Sequence, residues 1–168
     1  LMGESSNQMA VSDVIKAIRR AKANDNIKGI YLEAGSLSTG FAGIEAIRRE
    51  LEDFKDSGKF IVSYGDYYTQ GAYYLCSVAD SVFLNPQGSV SLVGLASQGL
   101  FFTGLAEKIG VEHYIFKVGT YKSAVEPFFL KKFSDANREQ LTSFLGSVWG
   151  NLTTAIEKSR NISSDELD

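Results

Sequence analysis

Apolar positions along the chain follow two periods. Val14, Ile18 and Ala21 recur at helical spacing and predict a helix from Ser12, as its N-cap, to about Ala23. Residues 27–32 are a short apolar run that reads as a buried strand. Ile44, Ile47, Leu51 and Phe54 mark a second amphipathic helix, stopped by Gly58. Residues 60–64 read as the next strand, and 70–79 as a short helix burying Leu75, Cys76 and Ala79. A strand is predicted at 81–84, followed by a turn at Asn85-Pro86-Gln87-Gly88, where Pro fixes φ and Gly is free to take φ > 0. Further short strands are expected within 89–93 and 96–101, then a helix from Thr103 to Ile109 and a strand at 112–117. Last comes a long helix capped by Ser134 and running to about Lys158. Its Leu141, Leu145, Val148, Leu152 and Ile156 keep helical spacing.

Strands alternating with helices predict an α/β fold with a mostly parallel sheet and right-handed crossovers. In such sheets reactive groups gather beyond the carboxyl ends of the strands. The loops at 35–40, 65–71 and 119–126 meet that condition.

Composition narrows the class. A chain of 168 residues with net charge −3 is long enough for one well-buried core and too short for two complete domains. The charge balance supplies no basic stripe, so nucleic-acid binding has no support. The single cysteine, Cys76, excludes an intramolecular disulfide and a cysteine-based zinc site. No apolar run reaches the ~18 residues a membrane helix needs. Residues 1–10 read as a polar leader without a signal-peptide pattern. Residues 11–162 read as the domain. Ser163-Ser164-Asp165-Glu166 reads as a capping box, so 163–168 are expected to open a helix into a further domain, the other reading being a frayed polar tail.

Little of this chain points to cofactor chemistry. The glycines at 35–40 lack a P-loop lysine and do not fit the dinucleotide fingerprint. His113, the sole histidine, falls on a predicted strand and reads as structural; no second His or Cys stands at metal-ligand spacing. No cofactor and no metal are expected. Lys122 is different. It follows a predicted strand, among small and hydroxyl-bearing neighbours and before an apolar stretch. A lysine shielded there is desolvated, which disfavours its ammonium and suits it to act as a general base. The other reading pairs Lys122 with Glu126 at the surface.

The run Val118-Gly119-Thr120-Tyr121-Lys122-Ser123-Ala124-Val125-Glu126-Pro127-Phe128 resembles the general-base segment of the signal peptide peptidase A (protease IV) family. The stretches 26–30, 56–59, 73–80 and 85–88 resemble the same family, so the likeness extends from about Val11 onward. It implies a ClpP/crotonase-like spiral of β-β-α units and a Ser-Lys serine peptidase that degrades cleaved signal peptides. Lys122 is then the general base. Gln70-Gly71-Ala72-Tyr73-Tyr74 stands where the family carries Ser-Gly-Gly-Tyr-Tyr, so Gln70 occupies the nucleophile position, and an amide cannot serve there. Gly71 and Ser123 are supporting candidates. Ser38 and Ser63 also lie at predicted strand ends but lack the family's glycine context.

The resemblance therefore implies the N-terminal half of a duplicated protein. The serine would come from a C-terminal domain, and the fragment alone would be inactive. It also implies a homo-oligomer on the outer face of the bacterial cytoplasmic membrane, anchored by a segment outside this chain. Two rival readings are a non-catalytic scaffold and a crotonase-like enzyme acting on an acyl thioester. Phe128 and Phe129 are expected either to line a groove for apolar peptides or to pack internally.

Overall fold

The computed structural model describes residues 9–35, 37–116, 118–119 and 121–163. They form two compact units. One holds the chain up to Val93 together with the part from Thr153 on; the other holds Gly94–Leu152.

The first unit is a three-stranded parallel sheet with helices in its crossovers. In chain order it contains α1 (Val11–Ala23), β1 (Gly29–Leu32), α2 (Phe41–Lys55), β2 (Phe60–Tyr68), α3 (Gln70–Cys76) and β3 (Ser81–Val90). The strand order is β1-β2-β3, so each strand pairs with the next in sequence. Ile30 is paired with Ile61, and Ser63 with both Leu32 and Val82. The parallel α/β class expected from the alternation is therefore present in this unit.

The period-3.6 pattern of α2 sets its buried side: Ile44, Ile47, Leu51 and Phe54 are all buried. On β2 the period of two does the same for Ile61, Ser63 and Gly65, while Val62 and Tyr64 on the other face are only half-buried. Helices α1 and α2 pack together. Ion pairs of Arg19 with Glu50 and of Lys22 with Asp53 join their outer edges. The Lys59 ammonium closes the end of α1, donating to the carbonyls of Ala21, Lys22 and Asn24 at 2.8, 2.7 and 2.8 Å. Gly58, at φ 78°, takes the left-handed conformation needed to leave α2.

Several element ends differ from expectation. Helix α1 starts at Val11, with Ala10 as N-cap and no side-chain cap, so Ser12 lies inside the first turn. Helix α3 ends at Cys76 rather than Ala79. There the Ser77 hydroxyl donates to the Tyr74 carbonyl at 3.0 Å. The turn expected at 85–88 lies within β3. Gly65 pairs with Leu84 but Tyr67 pairs with Ser89, so 85–88 bulge out opposite Asp66. Asn85 Nδ2 holds the Asp66 carboxylate at 2.7 Å, and a side chain at Gly88 would collide with the Asp66 carbonyl.

The second unit contains α4 (Thr103–Ile109), a 3₁₀ helix (Ser123–Phe128) and the first part of α5 (Asp135–Arg160). Gly110, at φ 71°, terminates α4. Phe101 meets Phe133 edge-on at 5.2 Å, and Phe102 stacks on Phe128 at 5.9 Å. The Phe102 N–H donates to the Pro127 carbonyl at 2.7 Å, and the Thr103 hydroxyl to the Leu130 carbonyl at 2.6 Å. The strands expected at 96–101 and 112–117 do not form among the described residues; Tyr114 and Phe116 are 85% and 96% exposed. Their aromatic and β-branched residues favour a pleated, half-buried surface. That preference makes a strand only where a neighbour completes the ladder.

Candidate functional site

Gln70 is the first residue of α3, just past the carboxyl end of β2. The strand reaches farther than expected because Gly65 lets the Tyr68 ring pass close to the backbone; a Cβ there would meet that ring at 2.8 Å. Thr69 then caps α3, its hydroxyl accepting the Ala72 N–H at 3.2 Å. The Gln70 amide oxygen accepts the Val93 N–H at 3.2 Å. Gly71 is held close over α2: a Cβ at this position would stand 3.0 Å from Ile44 Cδ1. A strand-to-helix corner of this kind presents its first helical side chain at the sheet's carboxyl edge. Here that side chain is an amide.

The candidate hydroxyls differ sharply. Ser63 is fully buried inside β2, with its Oγ 3.0 Å from the Tyr68 hydroxyl. The Tyr68 hydroxyl in turn donates to the Phe83 carbonyl at 3.0 Å. Burial pushes the Tyr68 phenol upward and the Ser63 hydrogen bond pulls it back. Burial likewise pushes up the Cys76 thiol beside Ser63. These groups are fully buried within the core and are shielded from substrate. Ser38 is exposed in the loop after β1, and Ser123 opens the 3₁₀ helix.

Lys122 belongs to the second unit and precedes the 3₁₀ helix as its N-cap residue, at φ −87° and ψ 76°. The shielding expected from its apolar neighbours is not supplied among the described residues: Lys122 is exposed. Its ammonium has no hydrogen-bond or ion-pair partner among the described residues. The expected surface pair with Glu126 is absent, for a clear reason. Glu126 is fully buried. Its carboxylate accepts the Ser134 hydroxyl at 2.6 Å, the Ser134 N–H at 3.2 Å and the Asn137 side-chain amide at 3.0 Å. Sequence reasoning missed this cluster. The available signal was the helix start at Ser134, whose exposed N–H groups favour a nearby carboxylate. Ser134 does cap α5, its Oγ accepting the Asn137 N–H at 3.1 Å.

His113 is exposed and in no regular element, with its ring 5.5 Å from that of Phe128. It borders an open cavity of about 270 Å³ lined also by Glu107, Glu112 and Tyr114. Phe128 and Phe129 are 42% and 40% exposed, so neither is a fully packed core residue. Among the described residues no cluster of His, Cys, Asp and Glu is suited to a metal ion, and no helix is long and apolar enough to cross a membrane. Of the capping box at 163–166, only Ser163 falls within the described residues.

These features define an α/β unit with one candidate position at a strand-to-helix corner, and a second unit with another on a lysine-bearing turn. The chain belongs to peptidase family S49, whose pattern it matches over residues 53–168. It is 39% identical to Protease 4 of Salmonella typhi over 99% of its own length and 28% of that protein's. It is 37% identical to Protease 4 of Haemophilus influenzae over 95% of this chain and 26% of that protein. It is 36% identical to a chloroplastic serine protease, SPPA, of Arabidopsis thaliana over 79% of this chain and 20% of that protein. The chain thus spans less than a third of the length of these relatives.

Proposed function

We propose that this chain is the base-donating part of a serine peptidase of the Ser-Lys type. In this reading Lys122 supplies the general base, Gln70 marks a position without a nucleophile, and the serine comes from another domain of the same protein. The observation that carries the reading is the state of Lys122. It is exposed and its ammonium is unpartnered among the described residues, so it is available to a group brought from outside this chain. The covering domain would also exclude water, which favours the neutral amine a base requires.

The cycle follows from that assignment. Neutral Lys122 takes the proton of the incoming serine hydroxyl as its oxygen attacks the scissile carbonyl. The tetrahedral intermediate collapses, the new ammonium returns the proton to the leaving amine, and an acyl-enzyme remains. Water then attacks the ester while the amine accepts its proton and passes it back to the serine oxygen.

The finer reading follows the family resemblance of the sequence. We place the whole protein at the outer face of a bacterial cytoplasmic membrane, as a homo-oligomer that degrades cleaved signal peptides, with this chain part of a ClpP-like spiral of β-β-α units. No metal or organic cofactor is required. Membership of a peptidase family favours this over the acyl-thioester reading, in which Lys122 has no role.

The test is Lys122→Ala in the full-length protein. Peptide hydrolysis should fall at least a thousandfold with the fold and assembly unchanged. Retained turnover would remove Lys122 from the mechanism. The 168-residue chain alone should show no hydrolysis sensitive to serine-directed inhibitors.

A further inference from the structure

We infer that Glu126 is the positioning residue for Lys122; this rests on the general-base reading above. The Lys122 side chain has no partner of its own among the described residues, so its direction is set by its backbone alone. That backbone enters a short 3₁₀ helix ending at Phe128, and Glu126 is the fully buried residue within it.

The Glu126 carboxylate is fixed from the other side by the start of α5. One oxygen accepts the Ser134 hydroxyl, and the other accepts the Ser134 N–H and the Asn137 amide. Ser134 and Asn137 are locked to each other in turn, since the Asn137 N–H donates to Ser134 Oγ. The Glu126 carbonyl is engaged as well, accepting the N–H groups of Phe129 and Leu130 at 3.2 and 2.8 Å. Both ends of Glu126, side chain and main chain, are therefore held.

Four residues of 3₁₀ helix advance only ~8 Å, so a shift at Glu126 reaches Lys122 almost undamped. On the other side of Lys122 the chain is guided by Gly119, at φ 98°, whose carbonyl accepts the Lys122 N–H at 3.4 Å. The lysine is thus clamped on its C-terminal side. Proton transfer depends steeply on placement, and a misplacement of about 1 Å can cost roughly a hundredfold in rate.

The experiment compares Glu126→Gln, Ser134→Ala, Asn137→Ala and Lys122→Ala in the full-length protein, using a peptide substrate. Glu126→Gln keeps the shape but presents an amide N–H to donors. Its kcat should fall at least tenfold with KM within twofold of the parent. Ser134→Ala and Asn137→Ala, each removing one donor, should lower kcat by a smaller factor with KM again unchanged. In a Lys122→Ala background, Glu126→Gln should add nothing, because it acts only through the lysine. A folded Glu126→Gln protein with parental kcat would overturn the inference, as would a rise in KM alone. If Glu126→Gln does not fold, parental kcat in both donor variants overturns it instead. Full turnover in Lys122→Ala would sink the general-base reading itself, an outcome distinct from these.

Discussion

The Gln70 amide oxygen accepts the Val93 N–H at 3.2 Å, so the first side chain of α3 serves the backbone that leaves β3. A residue used this way is structural. Gln70→Ala in the full-length protein should leave kcat within twofold of the parent. It should cost about 1 kcal/mol of stability, the usual net value of one hydrogen bond. Denaturant unfolding and turnover measured on the same preparation check both parts. A tenfold loss of kcat would mean that the amide takes part in the chemistry.

Lys59 predicts a second effect. Its ammonium gathers the Ala21, Lys22 and Asn24 carbonyls where α1 ends. It also lies 5.7 Å from the Phe54 ring. Lys59→Met keeps most of the aliphatic stem and removes the donors. The loss should be about 1–2 kcal/mol, seen as a lower unfolding midpoint with an unchanged slope. Lys59→Arg, which keeps the charge, should lose less.

The helices and the order of the first unit were legible in the sequence because their signals are local. Ile44, Ile47, Leu51 and Phe54 state a helical period whatever surrounds them, and α4 runs from Thr103 to Ile109 as expected. The strands at 96–101 and 112–117 were misread because a strand is a relation between segments, and propensity at Tyr114 or Phe116 cannot supply the neighbour. The candidate site divides along the same line. Gln70 at a strand-to-helix corner followed from the alternation of elements. The burial of Glu126 did not, since its partners Ser134 and Asn137 lie beyond the apolar stretch that follows it. Asp66 and Gly88 escaped for a like reason: the bulge they stabilise exists only where β2 and β3 pair.

Asp80 ties acid stability to the end of α2. Its carboxylate accepts the Lys55 ammonium at 2.8 Å and the Ile61 N–H at 2.8 Å. Burial pushes the carboxyl up, but these two hydrogen bonds outweigh it and hold the group below its ordinary 3.8. A carboxyl depressed in the folded state stabilises the fold above its unfolded value. That contribution is lost as pH falls below 3.8 through the folded value. Asp80→Asn should therefore be less stable than the parent at neutral pH, and the two should converge in acid. Solvent at this half-exposed pair keeps the gap to about 1 kcal/mol. A gap that persists unchanged at low pH would assign the effect to packing instead of charge.

Arg48 carries the largest predicted cost. Its guanidinium is 2% exposed and joins three helices of the first unit. One terminal nitrogen donates to the Tyr74 carbonyl and to Ser77 Oγ, the other to the Ala155 carbonyl and Ser159 Oγ. Burial lowers its pKa, and the Glu52 carboxylate, 3.1 Å from Nε, works against that fall. The plane also lies over the Tyr74 ring at 4.9 Å. Arg48→Met retains much of the volume but removes the donors to the Tyr74 and Ala155 carbonyls and to the Ser77 and Ser159 hydroxyls, and the last turns of α5 lose this link to α2 and α3. The expected destabilisation is roughly 3 kcal/mol, in the range of a broken buried network. Hydrogen exchange should report it unevenly, with amides of α5 beyond Thr153 losing protection before those of β2. Uniform loss of protection across both elements would mean that Arg48 supports the core as a whole and not the docking of α5.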